Sequence, residues 1–112
     1  VKAEHVASPT IVDNAAPFRW SGPDAFDQWL HDLGESEAKV GRIGGSVFFG
    51  APVDEVVAGD HAYVVTPSRY TFKQKGRMLR ETGYTAFTLV KQGAVWKVES
   101  WSWASPSAAA VK

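Results

Sequence analysis

The sequence contains no cysteine. That excludes disulfide staples and thiol chemistry, and it leaves the redox compartment undetermined. No apolar run approaches the roughly 18–20 residues that span a bilayer as a helix. Net charge is absent as well, because 12 Lys and Arg balance 12 Asp and Glu. Such a balance draws a chain neither to nucleic acid nor to an anionic membrane. Histidine is scarce: His5, His31 and His61 stand far apart, with no HxH or HExxH spacing. No metal site and no cofactor is therefore expected. Gly41-Arg42-Ile43-Gly44-Gly45 lacks the GxGxxG spacing of a phosphate loop, and no GxSxG nucleophile elbow occurs. No signal peptide is visible, and a cytoplasmic location is the expectation.

What is present suffices for one domain over residues 1–112. The chain is 45% hydrophobic and 12% aromatic, with five tryptophans. That composition supports a packed core and argues against disorder.

The stretch from Pro9 to Gly22 organises the rest. Thr10-Ile11-Val12 is a short β-prone run, and Asp13-Asn14 marks a turn because Asx side chains bond nearby backbone. Asp13 lies among Ile11, Val12, Ala15, Ala16, Pro17, Phe18 and Trp20. A carboxylate surrounded by apolar neighbours is a candidate for a raised pKa, and so for proton transfer. Residues 1–8 are weakly patterned and read as a helix tail or an arm, with His5 exposed.

Residues 21–33 read as the one clear helix. Ser21 or Gly22 would cap it, and Asp24 and Asp27 suit the positive end of its dipole. Phe26, Trp29, Leu30 and Leu33 fall at i, i+3, i+4 and i+7, a single apolar stripe. His31 and Asp32 lie off it, as solvated positions. Gly34 would stop the helix, and 35–39 would connect it to the strands.

From there the chain reads as strands to its end. Residues 46–57 are rich in Val and Phe, with a bend at Gly50 or Pro52. Gly-containing turns at 58–60, 75–77 and 92–93 join strands over 61–75, 78–91 and 94–103. The tail beyond 103 reads as frayed. The expected fold class is α+β: one helix on a curved antiparallel meander of about four long strands plus a short one.

A curved sheet over a helix makes a concave pocket, and period-2 alternation sorts its lining. Ser68, Tyr70 and Phe72 form one set, and Thr85, Phe87 and Leu89 another. On the last strand Glu99, Trp101 and Trp103 share a face, opposite Trp96, Val98, Ser100 and Ser102. The plain alternative is that these aromatics are only core. Arg69, Lys73, Lys75, Arg77 and Arg80 cluster with Tyr70 and Phe72 about one hairpin. Such a hairpin could grip RNA, but it is read here as a solvated turn protecting strand edges.

These residues carry a resemblance. Ile11-Val12-Asp13, the helix start Trp20-Ser21-Gly22-Pro23, the Gly76-Arg77 hairpin and the closing strand from Val95 to Trp103 resemble the nuclear transport factor 2-like superfamily. That superfamily includes ketosteroid isomerase-like and SnoaL-like proteins. The resemblance covers nearly the whole chain from Pro9 onward. It implies a conical α+β fold around a deep apolar pocket, with dimerisation through the convex sheet face. It also places Asp13, eight positions before Ser21, on the general base of the isomerases. Their second catalytic carboxyl falls on Thr85, a weaker donor. The helices that precede this strand in complete members have only residues 1–7 in their place.

Two readings follow. In one, the protein is an enzyme without a cofactor. Asp13 abstracts a proton beside a carbonyl or activates a water, and Thr85, Tyr70 or Tyr84 donates to the oxyanion. The substrate is a small hydrophobic molecule, lined by Trp20, Phe26, Trp29, Ser68, Phe72, Phe87, Leu89, Glu99, Trp101 and Trp103. In the other, the same pocket binds a ligand or a protein partner without turnover, and Asp13 only bonds backbone N–H groups in its turn.

Overall fold

The computed structural model describes residues 2–111. A 3-10 turn over Lys2–Glu4 leads into β1 (His5–Val12), followed by β2 (Arg19–Ser21), α1 (Ala25–Val40) and β3 (Arg42–Phe49). Then come β4 (Asp54–Ala58), β5 (His61–Gln74), β6 (Arg77–Gln92), β7 (Val95–Ala104) and β8 (Ala109–Ala110). The architecture is α+β: one α-helix on one large, curved sheet. That helix, the only one among the described residues, is not long and apolar enough to cross a membrane.

The main sheet order is β2-β1-β7-β6-β5-β3, with β4 continuing the β3 edge of β5. The three long strands β5, β6 and β7 form an antiparallel meander. One ladder differs from the expected all-antiparallel plan, because β1 runs parallel to β7. That pairing also explains why residues 5–8 are strand and not a helix tail. Their local pattern is weak, so the neighbouring strand decides their conformation. His5 is accordingly half-buried, not exposed, and accepts the Trp101 indole N–H at 3.0 Å.

The helix is longer than its apolar stripe suggested. It continues through Gly34 and ends at Gly41, whose φ of 73° is the left-handed cap. A helical glycine costs about 1 kcal/mol relative to alanine, and the good helix formers at 35–39 outweigh it. A Cβ at Gly34 would meet nothing within 4 Å. Gly34→Ala is therefore expected to stabilise the protein by roughly 0.5–1 kcal/mol, read as a rise in Tm.

The inward face of α1 also differs from the expected stripe. Leu30 is 53% exposed. Asp32, Ser36 and Glu37 instead extend the half-buried row begun by Phe26, Trp29 and Leu33. Asp32 is thus no solvated position: it accepts the Trp20 indole N–H at 2.8 Å. The core below the helix joins Ile11, Trp20 and Ala25, with Phe26, Trp29 and Trp101 packed on it.

Two local devices set which residues share a face. The first is a register shift on β7, where Ser100 pairs Thr88 but Val98 pairs Leu89. Glu99 is the extra residue of this bulge and is exposed. Residues directly opposite in a ladder share a face. Val98 therefore joins Trp101, Phe87 and Leu89, and Ser100 and Ser102 lie on the other side. Strict alternation had grouped Val98 with those serines.

The second device is Gly83. A Cβ there would stand 2.0 Å from the Ala104 carbonyl oxygen and 2.9 Å from Ser105 Cα. The missing side chain lets the chain leave β7 close over β6. The tail then returns instead of fraying: Ala109 pairs Arg80, Ala110 pairs Leu79, and the Val111 N–H bonds the Met78 carbonyl at 3.1 Å.

Candidate functional site

Asp13 follows β1 directly, at the start of the loop to β2. Its backbone N–H bonds the Phe18 carbonyl at 3.1 Å, which closes the loop. Both carboxylate oxygens are engaged: Oδ1 accepts the Asn14 N–H at 2.7 Å, and Oδ2 accepts the Trp29 indole N–H at 2.8 Å. Burial pushes the Asp13 carboxyl above its ordinary range. The bonds from Trp29 and Asn14 pull the other way, and the charge of Glu81 adds to the rise. Desolvation dominates, as the apolar neighbours in the sequence suggested.

Behind Asp13 lies a buried carboxylate that the sequence reading did not single out. Glu81, on β6, is 4% exposed. Its Oε1 accepts Asn14 Nδ2 at 3.2 Å and Trp103 Nε1 at 3.1 Å, and its Oε2 meets Arg42 Nη1 at 3.2 Å. Arg42 in turn lies 4.1 Å above the Phe72 ring and donates through Nε to Gln74 at 3.4 Å. Glu81 stands four residues before Thr85, so extending the Thr85, Phe87, Leu89 alternation backward would have reached it. Arg42 lay in the glycine-rich stretch 41–45, where no local signal marked it.

Tyr70 lies on the same face of the sheet, opposite Glu81 in the β5–β6 ladder. Its hydroxyl donates to Glu37 of α1. Burial and that carboxylate push the Tyr70 hydroxyl far above its ordinary range, so it keeps its proton. Gly45 makes room for this contact, because a Cβ there would strike the Tyr70 hydroxyl at 2.3 Å. Thr85 is 3% exposed and shares a 2.8 Å hydrogen bond with Ser68, which is 2% exposed and also bonds the Thr66 carbonyl. Of the three oxyanion donors expected beside Asp13, Tyr70 is engaged with a carboxylate and Thr85 with a serine, and Tyr84 is exposed on the other face of β6.

The remaining expected lining residues divide. Phe26, Trp29 and Trp101 pack in a chain of tilted and edge-to-face contacts, with centroids 5.4 and 5.0 Å apart, and His5 joins it edge-on at Phe26. Trp103 reaches the site through Glu81. Phe72 is fully buried beside Tyr70, centroids 5.2 Å apart. Trp20 is core, tied to Asp32. Phe87 and Leu89 lie on the same face, further along β6, where Phe87 meets Phe49 at 5.9 Å. Glu99 stands apart, on its exposed bulge.

Four of the five tryptophans therefore donate their indole N–H to an ionisable side chain on another element: Trp20 to Asp32, Trp29 to Asp13, Trp101 to His5, Trp103 to Glu81. A buried indole N–H needs such a partner. The result is an aromatic wall in which two indoles, those of Trp29 and Trp103, reach Asp13 and Glu81. Two shallow surface grooves run along α1, beside Leu30 and Ala38 and beside Arg19 and Gln28, away from Asp13. Among the described residues no three His, Asp or Glu side chains cluster as a metal would require. In the basic hairpin, Arg69 stacks 4.7 Å over Phe48, and Tyr70 and Phe72 turn inward.

By sequence, no family model and no curated protein matches the chain. Solved structures do. A candidate scytalone dehydratase from Novosphingobium aromaticivorans superimposes over 98% of this chain and 71% of its own, with TM-score 0.70 and 17% identity. A type 2 hexachlorocyclohexane dehydrochlorinase (LinA) does so over 98% and 72%, with TM-score 0.74 and 9% identity. A nuclear transport factor 2-like superfamily protein from Salmonella enterica does so over 95% and 75%, with TM-score 0.72 and 14% identity. Across such neighbours the chain spans between 57% and 78% of their length. The fold is the nuclear transport factor 2-like fold.

Proposed function

We propose that this protein is an acid-base catalyst acting on a small hydrophobic molecule, with Asp13 as the general base. The observation that supports this most directly is the Asp13 carboxylate itself. It is withdrawn from water at the end of an aromatic wall, and its proton affinity is raised by that burial. A base tuned toward working pH in an apolar setting suits abstraction of a proton beside a carbonyl, or activation of water for hydration. The fold shared with proteins named as a candidate dehydratase and a dehydrochlorinase supports the same class of chemistry.

The test is turnover of small enolisable ketones and of hydratable alicyclic compounds by the wild type and by Asp13→Asn. Loss in the variant supports the reading, and undiminished turnover ends it. One observation favours a second reading. Tyr70 and Thr85 already have partners, so the protein could hold a ligand without turning it over. Tryptophan quenching by these compounds, with no turnover by the wild type, would mark that outcome.

We further propose that two copies associate through the sheet face away from α1. That face presents Thr10, Thr88, Ser100 and Ser102, with exposed Val56, Tyr63 and Tyr84 alongside. Sedimentation velocity is expected to show a dimer that Tyr63→Glu weakens. A monomeric wild type would exclude it.

A further inference from the structure

We propose that Glu81 is the positioning residue of Asp13, reaching the base through Asn14 and held in place by Arg42 and Trp103. The proposal rests on Asp13 being the base. Asn14 connects the two acids directly. Its backbone N–H bonds Asp13 Oδ1 at 2.7 Å, and its side-chain amide bonds Glu81 Oε1 at 3.2 Å. Trp103 on β7 shares that oxygen at 3.1 Å, and Arg42 on β3 holds the other at 3.2 Å. One buried carboxylate thus fastens the loop of the base to two other strands.

A purely structural strut is a poor account of this arrangement. Burying charges costs free energy that an ion pair recovers only in part, so a buried pair is weak evidence of a stabilising device. Its place beside a half-buried acid has a consequence for chemistry. Glu81 is 4% exposed, so little water screens its charge. Its negative charge disfavours an anionic Asp13 and therefore helps the base hold a proton. Arg42 offsets that charge. The charged and titratable groups facing Glu81 are Asp13 from the β1–β2 loop, Arg42 from β3, and Tyr70 from β5, with Glu37 of α1 behind Tyr70. From β7 it meets only the neutral Trp103.

Two substitutions should therefore move Asp13 in opposite directions. Glu81→Gln keeps the shape and keeps an oxygen for Asn14 and Trp103, but removes the charge. The Asp13 titration should shift to lower pH. Arg42→Gln removes the counter-ion and leaves Glu81 unopposed, so the Asp13 titration should shift to higher pH. Side-chain carboxyl NMR of the full chain against pH reads both, and the acid limb of the pH–rate profile should follow. Asn14→Ala cuts the tether without changing charge. Turnover should fall roughly tenfold to a hundredfold, in kcat with KM little changed, because a misplaced base loses orientation.

A strut would alter stability in all three variants without opposite shifts at Asp13. Shifts in the same direction, or none, overturn the proposal. Asn14 is exposed and Arg42 half-buried, so those two variants keep it testable if Glu81→Gln fails to fold. If Asp13→Asn retains turnover while the opposite shifts are seen, the catalytic reading fails and the coupling of the two acids stands.

Discussion

An Asp13→Asn chain is expected to lose turnover by about 10²–10⁴-fold, the range for a positioned general base, and to gain stability at neutral pH. Both effects have one cause. The folded protein raises the proton affinity of Asp13 by burying it, against the pull of Trp29 and Asn14. The folded state therefore binds this proton more tightly than the unfolded state does. The associated stability is complete below the unfolded carboxylate value of about 3.9. It is lost as pH rises through the higher folded value. Above that folded value the wild type carries a desolvated charge, and asparagine carries none. Its single side-chain oxygen can still accept the Trp29 indole N–H, at the loss of the bond from the Asn14 N–H. Thermal denaturation at pH 7 and at pH 3 should thus show the variant ahead at pH 7 and the gap closing at pH 3. A variant less stable at pH 7 would mean that the charged form is favoured where it sits. The activity loss and the stability gain together are the signature of a functional acid held at a cost to the fold.

Gly83→Ala is expected to destabilise the protein by about 3 kcal/mol, at the upper end of overpacking costs. The new methyl would stand 2.0 Å from the Ala104 carbonyl oxygen and 2.9 Å from the Ala104 carbonyl carbon. Those atoms are backbone, so no side-chain rotation relieves the contact. Either β7 must part from β6 near Tyr84 and Ala104, or the chain must leave the sheet along another path. The second course would also unpair β8 from Arg80 and Leu79. For a domain of this size the loss corresponds to a fall in Tm on the order of 10 °C or more. Because Gly83 lies two residues from Glu81, amide signals around Glu81 and Trp103 should shift as well. The comparison with Gly34→Ala is direct: the same added methyl meets open space on α1 and backbone on β6. A Gly83→Ala protein with an unchanged Tm would show that the tail moves aside without resistance.

Much of the fold was legible before any coordinates. The turns at Gly59, Gly76 and Gly93 all carry positive φ and join the strands where the sequence places them. Asp13 stood out because apolar residues crowd it on both sides in the chain itself. The face of β5 that carries Ser68, Tyr70 and Phe72 followed from alternation alone. Other features depended on contacts distant in sequence. Gly34 looked like a helix stop because local propensity favours one there, and the flanking residues overrode it. Residues 5–8 became a strand only because β7 lies beside them. Alternation failed on β7 at Glu99, since a bulge inserts one residue and exchanges the faces beyond it.

The candidate site shows the same division. The sequence by itself determined the α+β class, the helix stripe through Phe26 and Trp29, the long meander and the presence of an acid in an apolar loop. These depend on periodicity and on neighbours within a few residues, and both can be read along the chain. The tertiary structure alone decided that Glu81 and Arg42 stand behind Asp13, that Tyr70 donates its hydrogen bond to Glu37, and that four of the five tryptophans find an ionisable partner. Those partners lie 12 to 96 residues away along the chain. A buried polar group must find a partner somewhere, but which one it finds depends on the packing of strands that no local pattern encodes.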